Sequence, residues 1–299
     1  MQWTSRMLVL LLVVLLGLYL GVGALVALVM SRPRRNIDKK VSPAALNLAF
    51  DEVHFPARGA DATIAAWYMP HPTSHRAVIM VHGKDSSRYR EYFGHGPDVA
   101  AGLLQRDLSV LMIDLRGHGE SSDARFSFGI NESRDVLGAV DFLREHGTKP
   151  GSIGVLGASM GAATSLFAAA AEPAIGAVVE DCGYAEFEPL VTASWHQNTG
   201  LPELFIPSTL LFSRLVLGVD LQNIRPVSVI SQIAPRPVLI IHSEQDQTVP
   251  VSHADLLQKA LPSAEVWRIP GAGHVAGYRV EPALYMRRVG DFFDGKLPK

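Results

Sequence analysis

The chain has 299 residues, of which 48% are hydrophobic, and its 27 basic and 29 acidic side chains give a formal net charge of −2 at pH 7. A chain of this length can bury one large core, and α/β folds of about 250 residues are commonly single domains. The near-neutral charge and the scarcity of charge clusters argue against a nucleic-acid partner. The single cysteine, Cys182, excludes an internal disulfide, and we expect it to be a small core residue.

The first predicted element is an apolar helix from Met7 to Met30, which contains no charged residue. At ~1.5 Å per residue it is ~36 Å long, enough to cross a hydrocarbon core of ~30 Å. The basic residues in the segment 31–41 that follows predict a single-pass membrane protein whose large domain is cytoplasmic. A cleaved signal peptide is the alternative, although its apolar region would be shorter and its start more basic. We assign residues 1–30 to a membrane anchor and residues 31–45 to a basic linker.

The pattern changes at Leu46, where the large domain, residues 46–299, is predicted to begin. Its first two strands are expected to form an antiparallel hairpin around the turn at 57–61. Further strands then alternate with helical segments, which is typical of an α/β fold with a doubly wound, mostly parallel sheet. The later predicted strands are 77–81, 109–114, 153–156, 177–181, 238–242 and 265–269, and the predicted helices are 99–105, 131–146, the helix after residue 159 and 282–293.

One segment interrupts this alternation. Residues 183–233 carry several aromatics and prolines where a short connection would be enough. We interpret them as a small cap insertion above the carboxyl ends of the strands. The alternative is a surface excursion that does not contact substrate.

The motif G-x-S-x-G at residues 157–161 lies between an apolar strand and an alanine-rich helix. It predicts a sharp strand-to-helix turn, because side chains at 157 and 161 would collide with neighbouring elements. The turn would present the Ser159 hydroxyl at a helix N-terminus, where free N–H groups favour developing negative charge. The motif alone is weak, and a glycine-rich turn with a helix-capping serine is the alternative reading.

A serine nucleophile needs a base, and the base needs an acid that holds its tautomer. His274 lies in a glycine-rich loop after the last predicted strand, and Asp246 follows the strand before it. Both side chains are expected at the sheet edge that carries Ser159. Glu244 and Asp181 are the alternatives for the acid.

The other histidines in the motifs are expected to be structural: His82 and His118 in loops, His242 at a strand end and His253 at an exposed helix start. No group of His, Cys and acidic residues has metal-ligand spacing, and the chain has neither G-x-G-x-x-G nor a P-loop. No metal and no cofactor are therefore predicted.

Together these motifs resemble the alpha/beta-hydrolase superfamily, in particular serine aminopeptidases, dienelactone hydrolases, prolyl-oligopeptidase-type domains and their membrane-anchored bacterial relatives. The order Ser, Asp, His is the one found in that superfamily. The lipase motif HGGG is absent, so bulky-ester lipases and esterases are not indicated. The residues that carry the resemblance are His82-Gly83, Asp114-x-Arg116-Gly117-His118-Gly119-x-Ser121, Gly157-x-Ser159-x-Gly161, Asp246 with Val249-Pro250, and Gly273-His274.

The resemblance implies an alpha/beta-hydrolase fold with Ser159 as nucleophile, His274 as general base and then acid, and Asp246 as the residue that orients it. It also implies an oxyanion hole made by the backbone N–H groups of Met160 and Lys84. The resulting expectation is a membrane-anchored serine hydrolase that cleaves an ester, amide or peptide bond of a small-molecule or peptide substrate through an acyl-enzyme.

Two alternatives to that expectation stay open. Acyl transfer with the same triad is the alternative within the enzyme class. A non-catalytic binding module with the hydrolase fold is the alternative outside it. The acyl group, the leaving group and the oligomeric state do not follow from the sequence.

Overall fold

A computed structural model describes residues 2–218 and 220–299, apart from the side chains of Gln2, Thr4 and Leu217. The chain divides into two compact units. The smaller unit combines Met1–Arg32 with Phe187–Ile224, and the larger one combines Pro33–Glu186 with Arg225–Lys299.

The larger unit contains an eight-stranded sheet with the strand order β1-β2-β4-β3-β5-β6-β7-β8. The hairpin β1–β2 is antiparallel and β2 runs antiparallel to β4, whereas every other neighbouring pair is parallel. The strands are β1 Asp51–Pro56, β2 Thr63–Met69, β3 Ala77–Val81, β4 Ser109–Ile113, β5 Ile153–Ala158, β6 Ile175–Asp181, β7 Val238–Ser243 and β8 Glu265–Ile269. The predicted antiparallel hairpin and the predicted doubly wound, mostly parallel sheet are confirmed.

Every residue of β3, β4, β5 and β7 is buried. Strands covered on both faces need apolar side chains at every position, which explains why these segments read as continuous hydrophobic runs. The α-helices of the larger unit are α2 Gly96–Leu104, α3 Ser133–Glu145, α4 Met160–Ala171, α8 Ser252–Ala260, α9 Gly277–Val280 and α10 Pro282–Lys296. The helices that are missing from this numbering lie in the smaller unit and are described with it below.

The expectation of an exposed His253 is wrong. This residue lies in the first turn of α8, on the face that is buried together with Ala254 and Leu257. Its Nδ1 accepts a hydrogen bond of 3.1 Å from the Ala185 N–H. The helix therefore turns its histidine toward the core because the ring satisfies a buried backbone donor.

Among its described residues, the smaller unit contains the α-helices α1 Gln2–Met30, α5 Phe187–Ala193, α6 Trp195–Thr199 and α7 Ile206–Leu217. In α1 the stretch Ser5–Met30 is long and apolar enough to cross a membrane. Length and composition fit a membrane anchor and a signal sequence equally well. The helices α5–α7 lie within the segment interpreted as a cap, and its role as a cap stays a prediction.

Candidate active site

Ser159 occupies the turn between β5 and α4. Its backbone has φ +54° and ψ −118°, a conformation that is strained for a residue with a side chain. Its N–H donates a hydrogen bond of 2.8 Å to the Asp181 carbonyl, which holds the turn against β6. A Cβ atom at Gly161 would overlap the backbone of Val81 and His82 at the end of β3. The expected sharp turn is therefore present, and its glycine is required by close packing.

The structure brings the three predicted triad side chains into one chain of hydrogen bonds. Ser159 Oγ lies 2.8 Å from His274 Nε2, and His274 Nδ1 lies 2.6 Å from Asp246 Oδ2. A carboxylate can only accept, so Nδ1 carries the proton and Nε2 is left to accept from the Ser159 hydroxyl. This is the tautomer in which an imidazole can remove the serine proton.

Asp246 is held as a carboxylate by its surroundings. Its Oδ1 accepts two hydrogen bonds of 2.8 Å, from the Thr248 and Val249 N–H groups, in the loop after β7. Burial by itself raises the pKa of Asp246, but the hydrogen bond from His274 and these N–H groups outweigh it, so the pKa lies below its ordinary value. The acid is thus charged at neutral pH and can stabilise an imidazolium beside it.

The two alternative acids are placed elsewhere. Glu244 is exposed on the loop that follows β7. Asp181 is buried at the end of β6 and accepts a hydrogen bond of 2.7 Å from the Tyr285 hydroxyl. His274 Nδ1 contacts Asp246 rather than either of them.

The loop after β3 approaches the nucleophile closely. A Cβ at Gly83 would stand 3.1 Å from Ser159 Cβ and 3.4 Å from the Ala158 carbonyl, so a side chain would press on the nucleophile turn. Lys84, the next residue, has an exposed side chain that pairs with Asp85 at 3.3 Å. Met160 begins α4, so its N–H has no acceptor within that helix. For Lys84 and Met160 it is therefore the backbone N–H group, and not the side chain, that we consider part of the candidate site.

His82 fixes the orientation of this loop. Its Nε2 accepts a hydrogen bond of 2.9 Å from the Leu115 N–H, so its Nδ1 carries the proton and donates to the Gly83 carbonyl at 2.7 Å. Burial lowers the pKa of His82 to about 4, which keeps the ring neutral. His118 is built the same way: its Nε2 accepts from the Asp85 N–H at 3.2 Å, and burial lowers its pKa to about 3. Both histidines hold backbone groups in place.

The remaining motif, at 114–121, also has a structural role. Asp114 accepts hydrogen bonds from the Arg88 and Glu120 N–H groups at 2.8 and 2.9 Å. Arg116 forms an ion pair of 2.7 Å with the buried Asp135. These contacts tie the loops after β3 and β4 to each other and to α3.

One residue of the site was missed by the sequence reasoning. Glu91 Oε2 accepts a hydrogen bond of 2.6 Å from the Gly83 N–H, and burial raises the pKa of this carboxyl group. Glu91 lies in an irregular segment in which Tyr92 and Phe93 both have left-handed backbone conformations, with φ +52° and +58°. Neither a motif nor a hydrophobic period marks such a segment.

A cavity of about 400 Å³ opens onto the hydrogen-bonded chain. Ser159 and His274 line it together with Lys84, Glu91 and Tyr92. Its volume falls within the roughly 300–1,000 Å³ of small-molecule sites. The lining combines charged, aromatic and backbone groups, as expected where one bond of a small substrate must be oriented.

Cys182, Asp246 and His274 place one possible ligand atom each within 4.8 Å of one another. Burial raises the pKa of the Cys182 thiol well above its usual range, and metal ligation needs the thiolate. Asp246 and His274 are already bonded to each other. These three side chains are therefore better explained as a buried core cysteine beside a hydrogen-bonded His–Asp pair than as the ligands of a metal ion.

Comparison with known proteins gives consistent matches. The profile described as the alpha/beta hydrolase family matches residues 78–285. The uncharacterized protein YqkD of Bacillus subtilis (strain 168) is 30% identical over 234 residues, 75% of this chain and 73% of that protein. The 2,6-dihydropseudooxynicotine hydrolase of Paenarthrobacter nicotinovorans is 28% identical over 199 residues, 64% of this chain and 50% of that protein.

Two further proteins extend these matches. Serine hydrolase BPHL of Homo sapiens is 28% identical over 218 residues, 66% of this chain and 72% of that protein. Among solved structures, the esterase Pf2001 of Pyrococcus furiosus superposes with a TM-score of 0.71 at 24% identity, covering 89% of this chain and 100% of the esterase.

Proposed function

The chain belongs to the alpha/beta hydrolase family and is a hydrolase, and on that premise we propose that it cleaves an ester or similar acyl bond with a triad of Ser159, His274 and Asp246. The observation that carries the proposal is the continuous hydrogen-bonded chain from Ser159 Oγ through the imidazole to the Asp246 carboxylate, with both links shorter than 3 Å. Relatives named hydrolase and serine hydrolase support the reaction class.

In the proposed reaction, His274 Nε2 takes the proton from Ser159 as Oγ attacks the acyl carbon, and Asp246 stabilises the imidazolium that forms. The negative charge on the acyl oxygen is stabilised by the N–H groups of Met160 and Lys84. His274 then gives its proton to the leaving group, which leaves an acyl-enzyme. Water, deprotonated by the same imidazole, attacks the ester, so that Ser159 regains its proton and the free acid departs.

A small acyl compound is the proposed substrate class. The cavity of about 400 Å³ holds a molecule of modest size, and its charged lining offers polar groups that can orient it. The name of one relative, 2,6-dihydropseudooxynicotine hydrolase, supports a small molecule in preference to a folded protein substrate.

The same chain is proposed to be anchored in a membrane by α1, with the larger unit on the cytoplasmic side. The stretch Ser5–Met30 fits the length of a span. The basic residues of the segment 31–41 favour retention of that segment in the cytoplasm.

The proposal is tested with a fluorophosphonate probe, which reacts with an activated serine and leaves an unreactive serine unlabelled. We expect stoichiometric labelling of the full-length protein, with the adduct mapped to Ser159 by peptide mass analysis, and loss of labelling in Ser159→Ala and His274→Ala. A folded wild-type protein that resists the probe would identify a binding module. Turnover of p-nitrophenyl esters in the presence of alcohols and amines distinguishes hydrolysis from acyl transfer, because only transfer yields an acylated acceptor.

A further inference from the structure

The stretch 33–36, which follows α1 in the chain, belongs to the larger unit and is bound to the loop after β3. The Arg34 N–H donates a hydrogen bond of 2.9 Å to Asp85 Oδ1. Asn36 Nδ2 donates one of 2.7 Å to the Asp85 carbonyl, and the Asn36 carbonyl accepts one of 2.5 Å from the Ser87 hydroxyl. Asn36 is therefore held to this loop through both its side chain and its backbone.

The residues around Asn36 contact other parts of the candidate site. Arg35 Nη1 donates a hydrogen bond of 3.3 Å to the Gly119 carbonyl in the loop after β4. Further along, Asp38 and Val41 line the cavity that opens onto the triad. Val41 Cγ2 would lie 3.7 Å from a Cβ at Gly94, which lines the same cavity. The chain between α1 and β1 is thus placed where it can influence the reaction.

Asn36 reaches the proposed oxyanion donor through two peptide groups. The Asp85 carbonyl that it holds belongs to the peptide whose N–H is at Ser86, and this N–H donates to the Gly83 carbonyl at 3.3 Å. The Gly83 carbonyl belongs in turn to the peptide whose N–H, at Lys84, is the proposed donor. Since each peptide is planar, fixing its oxygen also fixes the direction of its N–H. The Asn36 amide can therefore orient the Lys84 N–H without touching it.

The loop needs such a restraint because Asp85 has a left-handed backbone conformation, with φ +55°. Residues with a side chain adopt this conformation infrequently, and it persists where the surrounding contacts fix it. The Asp85 N–H is held by His118 Nε2 at 3.2 Å, and the Asp85 carboxylate is held by Arg34. Removal of the Asn36 amide leaves these two contacts in place. The loop should therefore stay folded while its carbonyl side becomes less restrained.

We propose that Asn36 is a positioning residue of the hydrolase, which orients the oxyanion peptide 83–84 from the stretch that follows the apolar helix. The inference rests on the proposed function, since the direction of the Lys84 N–H matters only if negative charge develops beside it. It implies that a hydrolase domain that starts at Leu46 lacks part of its active site.

The experiment uses the full-length protein in detergent micelles with p-nitrophenyl butyrate as the probe substrate. Asn36→Ala should lower kcat roughly threefold to tenfold and leave KM within about twofold, because an oxyanion donor acts mainly in the transition state. Asn36→Gln, which keeps an amide donor, should recover part of kcat. Lys39→Ala, at an exposed position three residues further on, is the matched control and should behave like the wild type.

Hydrogen exchange followed by mass spectrometry provides a measurement that does not depend on activity. Peptides that contain the Ser86 N–H should exchange faster in Asn36→Ala than in Lys39→Ala, because the peptide 85–86 has lost its restraint. Peptides from the buried strand β7 should exchange alike in both variants, which separates a local change from a loss of stability in the whole protein.

A kcat of Asn36→Ala equal to that of the wild type overturns the inference and leaves the proposed reaction intact. A wild type that neither cleaves the ester nor takes up the fluorophosphonate probe overturns the reaction, and the role of Asn36 with it. A lower kcat with unchanged exchange at Ser86 would mean that Asn36 contacts the substrate directly, and faster exchange in β7 as well would mean a general destabilisation. Either result overturns the positioning role.

Ser87→Ala is the second variant, which decides the question if Asn36→Ala does not fold. It removes the hydrogen bond that holds the Asn36 backbone and leaves the Asn36 amide unchanged. We expect a smaller loss of kcat at a similar KM, with faster exchange at Ser86. A kcat and an exchange rate equal to those of the wild type would then overturn the inference.

Discussion

The His82 imidazole donates a hydrogen bond of 2.7 Å to the carbonyl of its own neighbour, Gly83. That carbonyl belongs to the peptide whose N–H, at Lys84, is the proposed oxyanion donor. Since a peptide is planar, holding the carbonyl oxygen also aims the N–H. Glu91 restrains the preceding peptide through the Gly83 N–H at 2.6 Å. The donor is therefore oriented by two side chains that the hydrolysis itself does not use.

His82→Ala should lower kcat by roughly tenfold to a hundredfold with little change in KM, because an oxyanion donor acts mainly in the transition state. The loss should stay below the ~2.7–4 kcal/mol that removal of a whole donor costs. Steady-state kinetics measure the split between kcat and KM, and His82→Gln, which can still donate and accept, should recover part of kcat. An effect confined to KM would contradict the positioning role.

Lys84→Ala should have a much smaller effect than His82→Ala. The Lys84 side chain is exposed and pairs with Asp85, and alanine keeps the backbone N–H. The rates at which the fluorophosphonate probe phosphonylates Ser159 in the two variants give the comparison directly. A hundredfold loss would instead assign the ammonium group a direct part in substrate binding or catalysis.

Glu180, which lies on β6 directly before Asp181, should make the free energy of unfolding depend on pH. Burial raises its pKa to about 8, although the Gly183 N–H, donating at 2.7 Å, lowers it in part. Between a pH of about 4.5, the pKa of an ordinary glutamate, and a pH of about 8, the folded protein keeps the Glu180 proton, whereas the unfolded chain releases it. The contribution of Glu180 to the free energy of unfolding is therefore complete below the unfolded pKa and is lost as the pH rises through about 8.

Glu180→Gln, which is uncharged at every pH, should therefore gain stability over the wild type as the pH rises. From pH 5 to pH 8 the difference should grow by up to ~4 kcal/mol, since one pKa unit corresponds to ~1.4 kcal/mol. Urea unfolding at a series of pH values measures it. A difference that is independent of pH, or one that shrinks toward pH 8, would contradict a protonated Glu180.

The central part of the fold could be predicted because buried parallel strands need apolar residues at every position. The β3 and β5 segments are such runs, and the residues that follow strands at one sheet edge, Ser159, Asp246 and His274, could be placed from chain order alone. His274 lies 115 positions after Ser159 and 28 positions after Asp246 in the chain. The three side chains meet because the carboxyl ends of parallel strands lie at the same edge of the sheet.

Other features follow from contacts that leave no local pattern. Glu91 reaches Gly83 from an irregular loop, and the burial of His253 depends on a backbone donor at Ala185, far away in the chain. The pairing of α7 with α1 depends on a close approach at Gly23, and glycine in an apolar helix does not reveal its partner. These features depend on long-range packing, which overrides local preference.

The proposed membrane orientation can be tested by protease accessibility and by the position of the mature N-terminus. If α1 is retained and the basic segment 31–41 is cytoplasmic, protease added to intact cells should spare the larger unit, and mass analysis of the purified protein should find its N-terminus before residue 7. Permeabilised cells are the control, since there the unit should be digested. Digestion in intact cells, or a mature N-terminus after Ala24, would contradict this topology.

The triad should behave as a unit. Ser159→Ala and His274→Ala should each remove nearly all turnover, and the double variant should be scarcely slower, because once the proton path from Ser159 is broken the imidazole has no remaining task. Asp246→Asn should be severe but milder: the Thr248 and Val249 N–H groups still hold the side chain, while His274 loses its tautomer and the charge that stabilises its cation.

The matched controls for the acid are Glu244→Gln, at an exposed position, and Asp181→Asn, at a buried carboxylate that accepts a hydrogen bond from the Tyr285 hydroxyl. Both should keep turnover far above that of Asp246→Asn, measured as kcat/KM on p-nitrophenyl esters after circular dichroism has shown each variant to be folded. If Asp181→Asn removed activity while Asp246→Asn kept it, the acid would lie at the end of β6 and His274 would have to turn away from the loop after β7. Because the Asp246 carboxylate accepts hydrogen bonds from the His274 imidazole and from two backbone N–H groups, we expect the opposite result.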